Sequence, residues 1–380
     1  MKKIILFANT DWYIYNFRLS LARALRDKGC EVLLVSPPGQ YGKLLEKEGF
    51  RWYSIDMDRR SLNPLDELSV IRQLIVLFCS EKPDIVHGFT IKCAVYGALC
   101  ASLSGVKAIV GAVAGLGYVF TSRDIKARLL RPVVRALLRG VLNGNRTRLI
   151  LQNPDDLEMF VEARLVEKER IRLIKGSGVD CERFQPLGRT ADDELHQPMV
   201  VLFAARLLWD KGIKEYVDAA RLLRDENREI RFLIAGEPDS GNPAAVGMDA
   251  LERWVDEGIV EWVGHVDDMP KLFAQVDAMV LPSYREGLPK TLIEAGACGL
   301  PLVTTDVPGC REVVTHNGVD GFKVPVRDYR ALAAAIRSLD DDSNLRLKLG
   351  ARARERALEE FDERIVIDKT ISVYRELIEL

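Results

Sequence analysis

The sequence predicts an α/β protein built from two doubly wound parallel-sheet domains. Three observations carry this. Short apolar runs alternate with helix-period segments along nearly all 380 residues, the pattern of repeated strand–helix–strand units. The alternation occurs twice, on either side of the polar, aperiodic stretch "FQPLGRTADDELHQP" (residues 184–198), which holds two prolines and reads as an interdomain linker. A chain of 380 residues is also long enough for two or three ordinary domains.

In the first half, residues 1–183, strands are expected near 3–8, 31–36, 51–56, 84–89, 107–113 and 148–152. Helical patterns fall near 16–28, 64–80, 91–104, 122–142 and 153–164, with Gly29 as a stop and Pro64 as a start. In the second half, residues 199–362, strands are expected near 199–205, 230–235, 260–263, 278–282, 301–305 and 322–325. The helices between them lie near 212–225, 246–257, 268–276, 289–298 and 309–316. The last helix, 363–380, carries an apolar stripe through Ile367, Ile371, Tyr374 and Ile378 and is expected to pack back on the first domain. Two such domains offer ligand sites at the carboxyl ends of their strands, in a central cleft.

Composition narrows the class. The chain is 48% hydrophobic and 29% charged with a formal net charge of −2, which argues against nucleic-acid binding by the whole chain. The opening apolar run, Ile4 to Ala8, is too short for a secretory leader or a membrane span, and no other stretch reaches spanning length. Seven cysteines without a Cys-x-x-Cys pair point to reduced thiols in a cytoplasmic protein. The histidines at 87, 196, 265 and 316 show no metal-ligand spacing. "DMD" at 56–58 matches an Asp-x-Asp metal pattern, but in so acidic a chain chance matches are common, so no metal is expected.

Dinucleotide chemistry loses weight because the fingerprint is missing. "ANTDWYIYN" after the first strand holds no glycine, "GAVAGLG" at 111–117 fails the Gly-x-Gly-x-x-Gly spacing, and no phosphate loop ending in Gly-Lys occurs. A different anion site is legible in "SYREGLPKTLIEAGACGLPLVTTDVPG" (283–309). Glu286 and Glu294 are separated by seven residues that begin with Gly287 and contain Pro289. Proline suits the first helical position, which leaves Glu286 in the preceding loop and Glu294 more than a turn inside the helix. Between them lie the free N–H groups of a helix N-terminus, which suit an anion. "FAARLLWDKG" at 203–212 places Arg206 and Lys211 at the same sheet edge, a planar fork and a point charge for phosphate oxygens.

The set Arg206, Lys211, Glu286 and Glu294, with "AG" at 235–236, "VGH" at 263–265 and "AGACGLPLVTTDVPGCREVV", resembles glycosyltransferase family four, the retaining enzymes of GT-B fold. The likeness covers nearly the whole chain. In the first half "HGFTIKCAVYGALCASLSGV", "VAGLGYVF", "LQNPDD" and "GSGVD" are similar to bacterial transferases that extend polyprenyl-diphosphate-linked saccharides. The resemblance implies roles. Glu294 would bond the ribose hydroxyls. Gly287, Leu288, Pro289 and Lys290 would form the segment that meets the donor diphosphate. Glu286 would contact the transferred sugar, and Arg206 and Lys211 would neutralise the leaving diphosphate. Gly236, Gly264 and His265 would lie beside the base, uracil. The UDP-sugar is a substrate, and no cofactor is implied.

The chain also departs from the family. Its first loop lacks the usual glycines near the acceptor, and "GAVAG" replaces the histidine that some members carry after the fifth strand. His87 follows the fourth strand instead, a candidate for catalysis or acceptor contact, although such a histidine is more often structural. On the acceptor side the expectation covers Asn9, Arg18, Lys92, Arg131 and Arg135. The last two belong to "SRDIKARLLRPVVRALLRGVLNGNRTR" (122–148), which holds eight basic residues against one acid, Asp124. That helix reads either as a solvated basic face or as a surface for an anionic membrane and an acceptor diphosphate. The expected function is transfer from a UDP-sugar to a lipid-linked saccharide, peripheral on the inner face of the cytoplasmic membrane. The alternatives are a UDP-sugar 2-epimerase of the same fold or a non-catalytic sugar-nucleotide-binding protein.

Overall fold

The computed structural model describes all residues except 59, 60, 62, 114–124, 187–197, 240 and 380, and the side chains of 125–130 and 133. The chain divides into two units, Met1–Gly178 with Arg364–Leu380, and Val179–Glu363.

The first unit holds seven strands: β1 (Lys3–Phe7), β2 (Glu31–Ser36), β3 (Arg51–Ser54), β4 (Ile85–Phe89), β5 (Ala108–Val113), β6 (Thr147–Leu151) and β7 (Ile171–Leu173). They pair in the order β3-β2-β1-β4-β5-β6-β7, all parallel. β4 and β5 are buried along their whole length, which is why they read as continuous apolar runs rather than alternating ones. Helices cover both faces. Ile14, Leu21, Ala22 and Leu25 pack with Tyr374 and Val373 on one side, and Leu74, Phe78, Ala98 and Leu142 pack on the other.

Helix starts follow capping chemistry. Thr10 accepts from the Tyr13 N–H at 3.1 Å, so the first helix begins at Asp11, five residues before its expected start. Asn63 accepts from Leu65, with Pro64 at the first turn. Helix Gly42–Lys47 has no side-chain cap of its own. Its N-terminus is instead met by Asp11, whose Oδ2 accepts from Tyr41 at 2.7 Å and Gly42 at 2.9 Å.

The second unit holds β8 (Met199–Ala204), β9 (Ile230–Ala235), β10 (Glu261–Gly264), β11 (Ala278–Leu281), β12 (Leu302–Thr305) and β13 (Phe322–Val324). Their order, β10-β9-β8-β11-β12-β13, is again all parallel. In both sheets the order reverses beside the first strand, between β1 and β4 and between β8 and β11. Ligands bind at such switch points, outside the carboxyl ends.

The boundary between units differs from the expected 183/184. Val179 forms a parallel bridge with Asp362 and Phe184 is buried in the second core, so the change of unit falls at 178/179. Most of the expected linker, residues 187–197, lies outside the described residues, as do Ala114–Phe120 of "VAGLGYVF".

Candidate active site

The loops after β8 and β11 meet at the second switch point. After β8 the chain makes a short 3-10 turn, Trp209–Lys211, and enters helix Ile213–Asp225 through Gly212. Gly212 has φ +75°, and a Cβ there would stand 2.0 Å from the Pro282 carbonyl oxygen. Only glycine allows so close an approach with that backbone. The Tyr284 N–H donates to the Asp210 carbonyl at 2.8 Å, a second tie between the loops.

These ties bring Lys211 Nζ to 2.5 Å from Glu286 Oε1. Ser283, fully buried, donates its hydroxyl to the same oxygen at 2.7 Å. The Ser283 carbonyl accepts from the Thr305 hydroxyl on β12. Tyr284 donates to the buried Glu215 carboxylate at 2.8 Å; burial, then that hydrogen bond, push its phenol up to about 12. On the far side Gly309 (φ +80°) backs the Glu286 loop, since a Cβ there would lie 2.6 Å from the Glu286 carbonyl oxygen. Glu286 Oε1 is thus held by two side-chain partners.

Helix Lys290–Ala297 follows this loop. Pro289 stands at its N-cap with ψ 101°, one residue before the expected position. Glu294 is 7% exposed on this helix. Burial pushes its carboxyl up, while Lys290, with Nζ 3.6 Å from Oε1, and Arg183 pull the other way. Arg206 lies two residues beyond β8 and is largely exposed, with Nη1 2.8 Å from Asp239 Oδ2. The loops after β8 and β11 therefore carry a cation paired with Glu286, a second, largely exposed cation, and a helix N-terminus whose first N–H groups lack intrahelical acceptors. Such an arrangement suits a phosphorylated ligand.

Comparison with known proteins places the chain in a family. Residues 3–153 match the family model for glycosyl transferase 4-like domains, and residues 198–342 match that for glycosyl transferases group 1. The chain is a family-four glycosyltransferase. It is 29% identical over 373 residues, 96% of each chain, to the N,N'-diacetylbacillosaminyl-diphospho-undecaprenol alpha-1,3-N-acetylgalactosaminyltransferase of Campylobacter jejuni. To the UDP-Gal:alpha-D-GlcNAc-diphosphoundecaprenol alpha-1,3-galactosyltransferase of Escherichia coli it is 25% identical, covering 84% of this chain and 82% of the relative. The crystal structure of Anabaena HepE in complex with UDP superposes with a TM-score of 0.79 at 19% identity, covering 99% and 100% of the two chains. The fold is GT-B, and the protein is a hexosyltransferase.

The remaining expected residues of the glycosyltransferase are distributed as follows. The Gly236 N–H donates to the Gly264 carbonyl at 2.7 Å, joining the ends of β9 and β10. His265 is exposed beside them, 3.2 Å from Asp267. Leu288 packs against the second core. In the first unit His87 is 1% exposed within β4, with Nδ1 2.6 Å from Tyr374 Oη. Burial, then the Arg18 charge, lower its pKa well below 6.5, so the ring is neutral at pH 7. Lys92 Nζ is engaged by Glu67 at 2.6 Å and by the carbonyls of Asp58 and Ser61. Arg135 is exposed and Arg131 half-buried on helix Ile125–Leu142; the side chains of Arg123, Lys126 and Arg128 lie outside the described residues. Sequence reasoning did not single out Ser283, Glu215 or Asp239. Ser283 lies only three residues before Glu286, but its burial and its bond to that carboxylate are seen only in the structure.

Proposed function

We propose that this enzyme transfers a hexose or N-acetylhexosamine from a UDP-sugar to a polyprenyl-diphosphate-linked saccharide with retention of the α configuration. The observation that carries the reading is the Lys211–Glu286 contact at the β8/β11 switch point, beside the N-terminus of helix Lys290–Ala297. The names of the Campylobacter and Escherichia relatives, both undecaprenyl-diphosphate-linked, support the acceptor class. The Anabaena complex supports the nucleotide.

In this reading the diphosphate of the donor lies over the helix N-terminus between Lys211 and Arg206, and Glu294 takes the ribose hydroxyls. Glu286, held at Oε1, presents Oε2 to the sugar. When the anomeric bond breaks, charge grows on the leaving diphosphate. Prepositioned cations and N–H groups there lower the barrier most, because they need no reorganisation as the charge appears. The acceptor hydroxyl attacks from the face the diphosphate leaves, and its proton passes to a diphosphate oxygen. No enzyme nucleophile is required, and His87, neutral and enclosed, serves the sheet rather than the chemistry.

No helix among the described residues is long and apolar enough to cross a membrane. We place the enzyme on an anionic membrane surface through Arg131, Arg135 and their basic neighbours, each contributing about 1 kcal/mol near such a surface. The test is a panel of UDP-sugars incubated with and without a polyprenyl-diphosphate-linked saccharide, in the presence and absence of chelator. Lipid products are read by mass and anomeric configuration by NMR. The reading requires one α-linked product, formed only with acceptor and undiminished by chelator. Turnover of UDP-sugar without acceptor, or a β-linked product, contradicts it.

A further inference from the structure

The first unit contains a buried cation with no counter-ion among the described residues. Arg18, on helix Asp11–Asp27, is 5% exposed. Among the described residues its one hydrogen bond runs from Nη2 to Tyr13 Oη at 3.1 Å, and its Nε is enclosed without an acceptor. The guanidinium carbon lies 4.3 Å from the centre of the Phe89 ring and 5.6 Å from that of Tyr13. Ring faces compensate only part of what burying an ion costs. Both acids on the same helix are committed elsewhere: Asp11 accepts from Trp12, Tyr41 and Gly42, and Asp27, at the far end, lies 3.9 Å from Arg26.

Two further polar residues stand at the ends of β1 and β4, and one of them follows Phe89. β1 and β4 pair Phe7 with Gly88, and two residues beyond that pair stand Asn9 and Thr90. The Asn9 side chain has no hydrogen-bond partner among the described residues. Thr90 follows Phe89, the ring that carries the guanidinium. Its Oγ1 is enclosed without a hydrogen-bond partner among the described residues, beside the Cys93 thiol. Its φ of +73° is a left-handed backbone for a β-branched residue, a strain that collects at ligand clamps. It leads without a side-chain cap into helix Ile91–Leu103, whose first N–H groups have no intrahelical acceptor. The arrangement sits at the first sheet's switch point. Lys92, engaged by Glu67 and two carbonyls, is not part of it.

We propose that Arg18, Asn9, Thr90 and the N-terminus of helix Ile91–Leu103 form an oxyanion site that holds a phosphate of the acceptor's diphosphate. The assignment of that anion to the acceptor rests on the lipid-linked reading above. A phosphate supplies the missing counter-ion and matches the planar fork of the guanidinium. Because the ligand-free site buries an unpaired charge, replacing Arg18 by an apolar residue of similar length relieves it. Arg18→Met therefore melts at or above the wild-type temperature while losing the ligand. A purely structural arginine gives the opposite, a lower melting temperature.

The experiment titrates full-length protein, saturated with UDP to occupy the nucleotide site, with farnesyl diphosphate, inorganic pyrophosphate and farnesol by calorimetry. Wild type binds farnesyl diphosphate and not farnesol, Arg18→Met binds it at least 30-fold more weakly, and Arg18→Lys and Asn9→Ala fall between. Binding of farnesyl diphosphate tighter than pyrophosphate marks the lipid-linked source. Equal binding of both, lost together in Arg18→Met, assigns the site to free diphosphate and overturns the acceptor assignment. Wild-type affinity in folded Arg18→Met overturns the site itself. If Arg18-dependent binding is present but no polyprenyl-diphosphate saccharide is elongated, the lipid-linked reading fails and the oxyanion site stands.

Discussion

Ser283→Ala is the sharpest probe of how the Glu286 loop works. The Ser283 side chain is fully buried and its hydroxyl lies 2.7 Å from Glu286 Oε1, the oxygen that also meets Lys211 at 2.5 Å. A hydrogen bond to a charged acceptor contributes about 1.5–3 kcal/mol. Glu286 keeps Lys211 and is 12% exposed, so the lower end applies, about 1.5 kcal/mol. If Glu286 acts by presenting Oε2 to the sugar, loosening Oε1 is felt where the sugar reacts, and 1.4 kcal/mol is about tenfold in rate. The expected result is kcat reduced about tenfold at saturating acceptor, with donor KM and UDP affinity changed less than threefold, since the diphosphate contacts are untouched. Urea unfolding should show a loss of about 1–2 kcal/mol. Steady-state kinetics that leave kcat at the wild-type value would refute the reasoning, as would a rise in donor KM that accounts for the whole effect.

Other consequences follow from the same geometry. Glu294 is buried and its carboxyl is raised in the folded state, so the folded protein holds that proton more tightly and stability falls as pH rises through the unfolded value of 4.5. Glu294→Gln should remove that fall in urea titrations across pH while weakening UDP binding at least tenfold, through a lost charged hydrogen bond of about 1.5–3 kcal/mol. Glu81 behaves oppositely: Arg51, then Lys3, hold its carboxyl at about 2. The stability it contributes is complete above pH 4.5 and is lost as pH falls toward 2, so Glu81→Gln should flatten the acid limb. The groups lie near the surface, and the effect at physiological salt should stay below about 1 kcal/mol. Gly212→Ala places a Cβ 2.0 Å from the Pro282 carbonyl at φ +75°. It should cost about 3 kcal/mol or more by calorimetry and lower kcat with it, because Lys211 and the Glu286 loop are drawn apart.

Much of this was readable because burial on both sheet faces writes strands as unbroken apolar runs. "VVLFA" in β8 and "AIVGAV" in β5 have no polar face to alternate with. Pro289 marked the turn from loop to helix, and so separated the environments of Glu286 and Glu294, although it occupies the N-cap rather than the first turn. What stayed hidden depends on distant residues. Helix Gly42–Lys47 is capped by Asp11, 31 positions earlier. The first helix was expected too late because "WYIYNF" is aromatic and β-branched, a poor local helix signal overridden by the Thr10 cap. The polar stretch after residue 183 has the composition of a linker, yet the burial of Phe184 fixes the preceding chain to the second unit. The Lys211–Glu286 contact spans 75 positions, and nothing local predicts which oxygen it takes.

The account rests on the proposal that Lys211, Arg206 and the helix that begins at Lys290 bind the phosphates of the nucleotide. The direct measurement is the UDP dissociation constant of the Arg206→Ala/Lys211→Ala variant by calorimetry, with a melting curve to confirm folding. Loss of two charge-assisted contacts, each about 1.5–3 kcal/mol, predicts affinity weakened at least 100-fold and no detectable transfer. A folded double variant that binds UDP as wild type does, and turns over, contradicts it.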